Sequence, residues 1–220
     1  QAQRVNEPPL SPAGRVLLVS GWIDPAGGQA AIRPAFTLHG VAGLPAPGDY
    51  TLETLDAAMR VIAAYPLALE RAIADPARSG TGFEKTGFHL SLPHIDGIAS
   101  IRLRRGATIL GTLAAGPRAP AVSAGVSTLS HDRRSLRVTW SALDADGDRL
   151  HYLARASVDG GATWQTLGAN LSSPSIDLRA ADFAGRRVLL EVLASDGLHT
   201  TALRLGPFDA PGGPVDKPSH

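Results

Sequence analysis

Asp144, Asp146 and Asp148 lie at alternate positions in the run DADGD, around a glycine, with a fourth acid at Asp196 just before Gly197. This is the dense oxygen supply that a hard cation such as calcium takes. The pattern is not an EF-hand, because Ala156 stands near the place where the closing glutamate would have to be. Two readings stay open: a calcium site built from Asp144, Asp146, Asp148 and Asp196, or hydrogen-bonded Asx-turns whose carboxylates take up loop amides. The turns are the preferred of the two.

A second constellation is Ser157, Asp159, Gly161, Thr163 and Trp164, spaced S-x-D-x-G-x-T-W. The spacing gives Asp159 turn amides to accept from, gives the glycines positive φ, and lets Trp164 pack beneath a hairpin. Other patterns fail on their chemistry. The run GTGFEKT (80–86) resembles a phosphate loop, but it is one residue short before Lys85 and puts Glu84 where glycine is needed. The seven histidines show no metal spacing, and His89 and His94 fall on opposite faces of an extended chain. No G-x-S-x-G elbow is present, and with no cysteine, thiolate catalysis and disulfides are excluded. Arginines 102, 104, 105, 133, 134 and 137 lack interleaved aromatics, and the net charge is +1, so a solvated strand face is expected and no nucleic-acid partner.

The elements that hold these residues must be short. Twenty-four glycines and 17 prolines make up nearly a fifth of the 220 residues, which disfavours long helices. A hydrophobic fraction of 44% and a charged fraction of 19% suit a packed core, and no apolar run is long enough to span a bilayer, so no membrane insertion is expected. The run AGPRAPA (115–121) interrupts the alternation and divides the chain nearly in half.

On each side short strands are expected. In the second half Leu136, Val138 and Trp140 form one apolar face, as do Leu150, Tyr152 and Ala154, and Val188, Leu190, Val192 and Ala194. Further candidates are 162–168, 175–178 and 200–208. The first half gives 15–22, 30–38, 49–55, 60–67, 86–92, 98–104 and 108–113. Over 52–64 the leucines also fit a helical period; a hairpin turning at Asp56 to Met59 is preferred because Pro66 follows and Val61-Ile62 is β-branched. A helical turn is expected within 68–77.

The stretch WSALDADGDRLHYLARASVDGGATWQTL, with VLASDG after it, resembles the tandem immunoglobulin-like and fibronectin III-like modules of large bacterial secreted and cell-surface proteins. The Ser157 to Trp164 spacing is similar to the Asp-box hairpin of sialidases, although no second copy exists at propeller spacing. In the first half LLVSGWIDPAGGQA, GDYTLETLDA and RVIAAYPL resemble a module that often precedes the other. Met59 departs from that family's pattern, which tends to have glycine there.

The resemblance implies an all-β chain of two tandem immunoglobulin/fibronectin III-like β-sandwiches. Residues 1–12 would be a linker, 13–115 the first module, 116–121 a linker, 122–210 the fibronectin III-like second module, and 211–220 a tail. It implies a non-catalytic structural, adhesive or spacer region of a larger secreted or surface bacterial protein, with neighbouring domains as partners. The alternative is a module that binds an extracellular carbohydrate or peptide for a separate hydrolase. In a fibronectin-like topology Asp196 would emerge beside the DADGD loop.

Overall fold

The computed structural model describes residues 14–69, 85–129, 135–183 and 186–209. Among these the protein is all-β except for one short helix, α1 (Ala180–Phe183). It divides into two compact units, Gln1–Ala114 and Ala115–His220, parting at the Pro- and Gly-rich run. The GTGFEKT run and the expected helical turn fall largely on 70–84, outside the described residues.

In the first unit β1 (Gly14–Asp24), β2 (Gln29–Ile32), β3 (Phe36–Gly40) and β6 (Thr86–Pro93) make one antiparallel sheet. β1 is long enough to take β3 and then β2 along one edge and β6 along the other. The single strand expected over 30–38 is therefore two, interrupted around Pro34, whose ring nitrogen cannot donate to a ladder. The second sheet runs β5 (Val61–Leu67), β4 (Tyr50–Leu55), β7 (Ser100–Arg105), β8 (Thr108–Ala114). Val19, Ile23, Phe36 and Leu92 from one sheet and Leu52, Tyr65, Ile101 and Leu103 from the other are buried.

Residues 52–64 form the hairpin, not the helix. Asp56 organises the turn: its Oδ1 accepts from the amides of Ala58 and Arg60, both at 2.9 Å, and Oδ2 accepts from Arg60 Nε at 2.8 Å. Met59 sits at φ 61° with its side chain 58% exposed, so methionine does occupy a left-handed position at the point where the resembling modules tend to have glycine.

The second unit pairs β9 (Ala121–Leu129), β10 (Ser135–Leu143) and β13 (Ser175–Arg179) in a sheet ordered β13-β10-β9. The other sheet is ordered β12 (Gln165–Leu171), β11 (His151–Ser157), β14 (Arg187–Ser195), β15 (Thr200–Asp209). The expected alternations hold: Val138 and Trp140, Tyr152, Ala154 and Ala156, and Val188, Leu190, Val192 and Ala194 meet in one core, with Trp140 edge-on to Tyr152 at 5.3 Å. Because both sheets contribute to that core, the unit is sandwich-like. Sequence patterning did not point to β9. Its AVSAGVSTL alternates residues of nearly equal size and polarity, which leaves little period-2 contrast to detect.

Candidate functional site

The DADGD loop joins β10 to β11, and Gly147, at φ 83°, supplies the left-handed backbone it needs. Oxygens of Asp144, Asp146 and Asp148 lie within 4.8 Å of one another, so three of the four expected ligands do come together. Protein donors meet most of them. Asp144 Oδ1 accepts from the amides of Asp146 (2.9 Å) and Asp148 (3.0 Å), an Asx-turn arrangement. Asp148 Oδ2 accepts from Gly116 N at 2.6 Å. Asp146 is held by Arg118, whose amide donates to Oδ2 at 2.8 Å and whose Nε donates to Oδ1 at 2.6 Å, while Nη2 also reaches the Ala145 carbonyl. These bonds from Arg118 hold the Asp146 carboxyl below the usual carboxylate range, with a smaller contribution from the charge of His199.

Asp196 does not join the cluster. It is fully buried in the loop between β14 and β15, where Oδ1 accepts from the amides of Leu198 (2.8 Å) and His199 (2.7 Å) and Oδ2 meets His199 Nδ1 at 2.9 Å. Measured against calcium, which takes six to eight oxygens, the set is poor. One atom, Asp144 Oδ2, is buried without a hydrogen-bond partner and suits a cation. Of its neighbours, Asp146 is already paired with a guanidinium, and Asp148 gives one oxygen to a backbone amide. The arrangement works as a clasp that fastens residues 116–118, just ahead of β9, to the loop. Gly116 is required there, because a Cβ at that position would run into the Asp146 carboxylate.

The second constellation forms a closed hydrogen-bond network in the hairpin between β11 and β12. Ser157 Oγ donates to Asp159 Oδ1 at 2.6 Å and accepts from Gly161 N at 2.8 Å. Thr163 donates to Asp159 through its amide at 2.9 Å and its hydroxyl at 2.5 Å. Hydrogen bonds from Ser157 and then Thr163 push the Asp159 carboxyl far below its ordinary range. Trp164 lies against the hairpin, its ring within van der Waals reach of a Cβ at Gly161. It is half-buried and stands outside the core cluster, with the guanidiniums of Arg155 and Arg204 at 4.7 and 5.5 Å from its ring centre. Its ring is therefore held by cation–π contact on the outer face of the sheet.

Sequence reasoning missed two buried charge trios. On β4, Glu53 is 4% exposed and accepts from Arg102 Nε (2.8 Å) and Arg104 Nε (2.6 Å) on β7. Burial raises its carboxyl, and the bonds and charges of the two arginines outweigh that and leave it below the usual value. On β14, Glu191 is 4% exposed and accepts from Arg155 Nε on β11 (2.6 Å) and Arg204 Nε on β15 (2.9 Å). Register sets Glu53 directly opposite Arg102 in one unit, and in the other sets Glu191 directly opposite Arg155 on one side and Arg204 on the other. Arg102 and Arg104 are thus carboxylate partners and not a solvated cationic face.

One hydroxyl–imidazole–carboxylate series also emerges. Thr37 Oγ1 is 3.3 Å from His94 Nδ1, and His94 Nε2 is 3.3 Å from Asp96, which Arg15 also contacts. Strands β3 and β6 flank β1 and bring these residues together, so no linear motif announces them. The side chain of Asp96 is 90% exposed and shares its charge with Arg15, whereas a triad carboxylate is buried and dedicated to its histidine. Burial, and then the Arg15 charge, push the His94 imidazole below its ordinary value. The contacts are long and poorly suited to activating a hydroxyl.

No family model and no curated protein matches the sequence. The class is set by the fold: an all-β protein of antiparallel, sandwich-like units. No helix among the described residues is long and apolar enough to cross a membrane.

Proposed function

We propose that the chain is a non-catalytic structural, spacing or adhesive region of a larger secreted or cell-surface bacterial protein, made of two tandem sandwich modules of immunoglobulin or fibronectin III type. The three-stranded and four-stranded sheet orders of the second unit support the fibronectin III type. One observation carries the functional reading. Asp144, Asp146, Asp148, Asp159, Asp196, Glu53 and Glu191, the carboxylates best placed for chemistry, each commit at least one oxygen to loop amides, hydroxyls, a histidine or arginines of the same unit, and only Asp144 Oδ2 among their buried oxygens is left over. Such groups rigidify loops and sheets and leave little for a substrate. Neighbouring domains of the longer chain are the natural partners.

A carbohydrate- or peptide-binding module is the second reading. It is favoured by Trp164, an aromatic ring kept half-open on a sheet face beside the exposed Arg204. The Ser157–Thr163 network also fits an Asp-box hairpin used as a structural turn. The purified chain is assayed on panels of ester, peptide and glycoside substrates and on a glycan array. Turnover that disappears in His94→Ala would overturn the non-catalytic reading, and glycan binding lost in Trp164→Ala would move the assignment to the binding module.

A further inference from the structure

We propose that β9 is an open sheet edge that pairs antiparallel with β9 of a second copy of this chain, joining two three-stranded sheets into one of six strands. Among the described residues β9 pairs with β10 alone, and β15 lies near it in the opposite sheet without ladder pairing. Of residues 121–128, seven are exposed and one, Val122, is half-buried; Val126 is 70% exposed. The strand AVSAGVSTL holds no charge, proline or aromatic ring.

Edges of this kind are templates for strand addition, and proteins normally guard them. Several other edges among the described residues are guarded. β12 has two register shifts against β11 and the left-handed Asn170; β5 has Pro66 and a register shift. β15 has Arg204 and Pro207, and β13 is five residues long and carries the Asp177–Arg137 pair. β8 is approached so closely by β2 that a Cβ on Gly111 would strike the Ala30 carbonyl. The one irregularity of β9 is a bulge opposite Thr139, whose hydroxyl bonds both the amide and the carbonyl of Val126 and so ties the bend back to β10.

A second copy is the occupant that the composition selects. Antiparallel self-pairing places only Ala, Val, Ser, Gly and Thr opposite one another across 121–128, with no like charges in register and no bulky side chain to clash. A two-fold axis then makes the contact self-complementary. One strand pair buries less than the roughly 1,200 Å² of a stable interface, so the association is transient, in the micromolar to millimolar range. It suits many copies held side by side, where avidity multiplies a weak contact.

The test is sedimentation velocity of the full chain from micromolar to millimolar concentration, beside the double variant Ala124→Lys/Val126→Lys. Wild type should move toward twice its monomer mass as concentration rises. The variant should need at least a ten-fold higher concentration, with an unchanged melting temperature. A wild type that stays monomeric, or a variant that dimerises as readily, overturns the proposal. Should the variant melt early, amide hydrogen exchange of wild type decides: concentration-dependent protection must appear at 121–128, and protection elsewhere alone refutes it.

Discussion

Met59→Gly should stabilise the first unit, and the expected size follows from the turn. At φ 61° an L side chain costs about 1–2 kcal/mol relative to its preferred region, a cost glycine does not carry. Two terms oppose the gain. Glycine loses roughly 0.5–1 kcal/mol more conformational entropy on folding. The methionine also surrenders its contact with Ser100 Oγ, 3.9 Å from the sulfur, which is weak because the side chain is mostly exposed. The net is a stabilisation of about 0.5–1 kcal/mol, or a rise of ~2–6 °C in the melting temperature of a unit this size. Met59→Ala is the control, since it removes the same contact but keeps the Cβ and therefore the strain. Calorimetry or urea titration of the full chain should rank glycine above methionine, with alanine at or below methionine. If alanine matches glycine, the left-handed backbone is not the source of the effect. If glycine destabilises, the sulfur contact outweighs the backbone.

Glu191→Ala takes the carboxylate from the buried Arg155 guanidinium and should cost on the order of 3 kcal/mol, whereas Arg204→Ala removes an exposed partner and should cost no more than about 1 kcal/mol by urea titration. Asp159, whose folded carboxyl is depressed, stabilises the second unit above its unfolded value of about 3.9, and that stability drains away as pH falls from there toward the folded value. Asp159→Asn should therefore melt lower at neutral pH but lose less between pH 5 and pH 2 than wild type. Because Arg118 already neutralises Asp146, the wild-type melting temperature should not respond to millimolar calcium or to chelator; a rise with calcium that Asp146→Asn abolishes would restore the cation reading.

Where the sequence was informative, side-chain contrast was high. Val138 and Trp140 alternate with Arg137, Thr139 and Ser141, and the β-branched and apolar run from Val188 to Ala194 is broken by Glu191 alone; their inward faces form the core as expected. The helical spacing of Leu52 and Leu55 misleads because β4 is covered on both faces, so residues three apart can both be fully buried on a strand. The three DADGD carboxylates could be grouped from spacing alone, since a tight turn keeps neighbours together. Asp196 could not be excluded that way, because its preference for the amides of its own loop depends on a hairpin geometry that spacing does not encode. The trios around Glu53 and Glu191 were invisible for a related reason. A single acid in an apolar strand looks solvated until register sets an arginine opposite it.

The clasp at Gly116 and Arg118 has a mechanical meaning. Tension arriving along the chain at residue 115 loads the bonds to Asp148 and Asp146 before it reaches the first rung of the β9–β10 ladder, at Ala121 opposite Leu143. Those bonds act in parallel and anchor to the loop that follows β10, so the strand is shielded from being peeled one rung at a time. Acid strong enough to protonate Asp146, whose carboxyl lies below the ordinary range, would weaken that anchor, and the same pull would then reach the edge of the sheet directly.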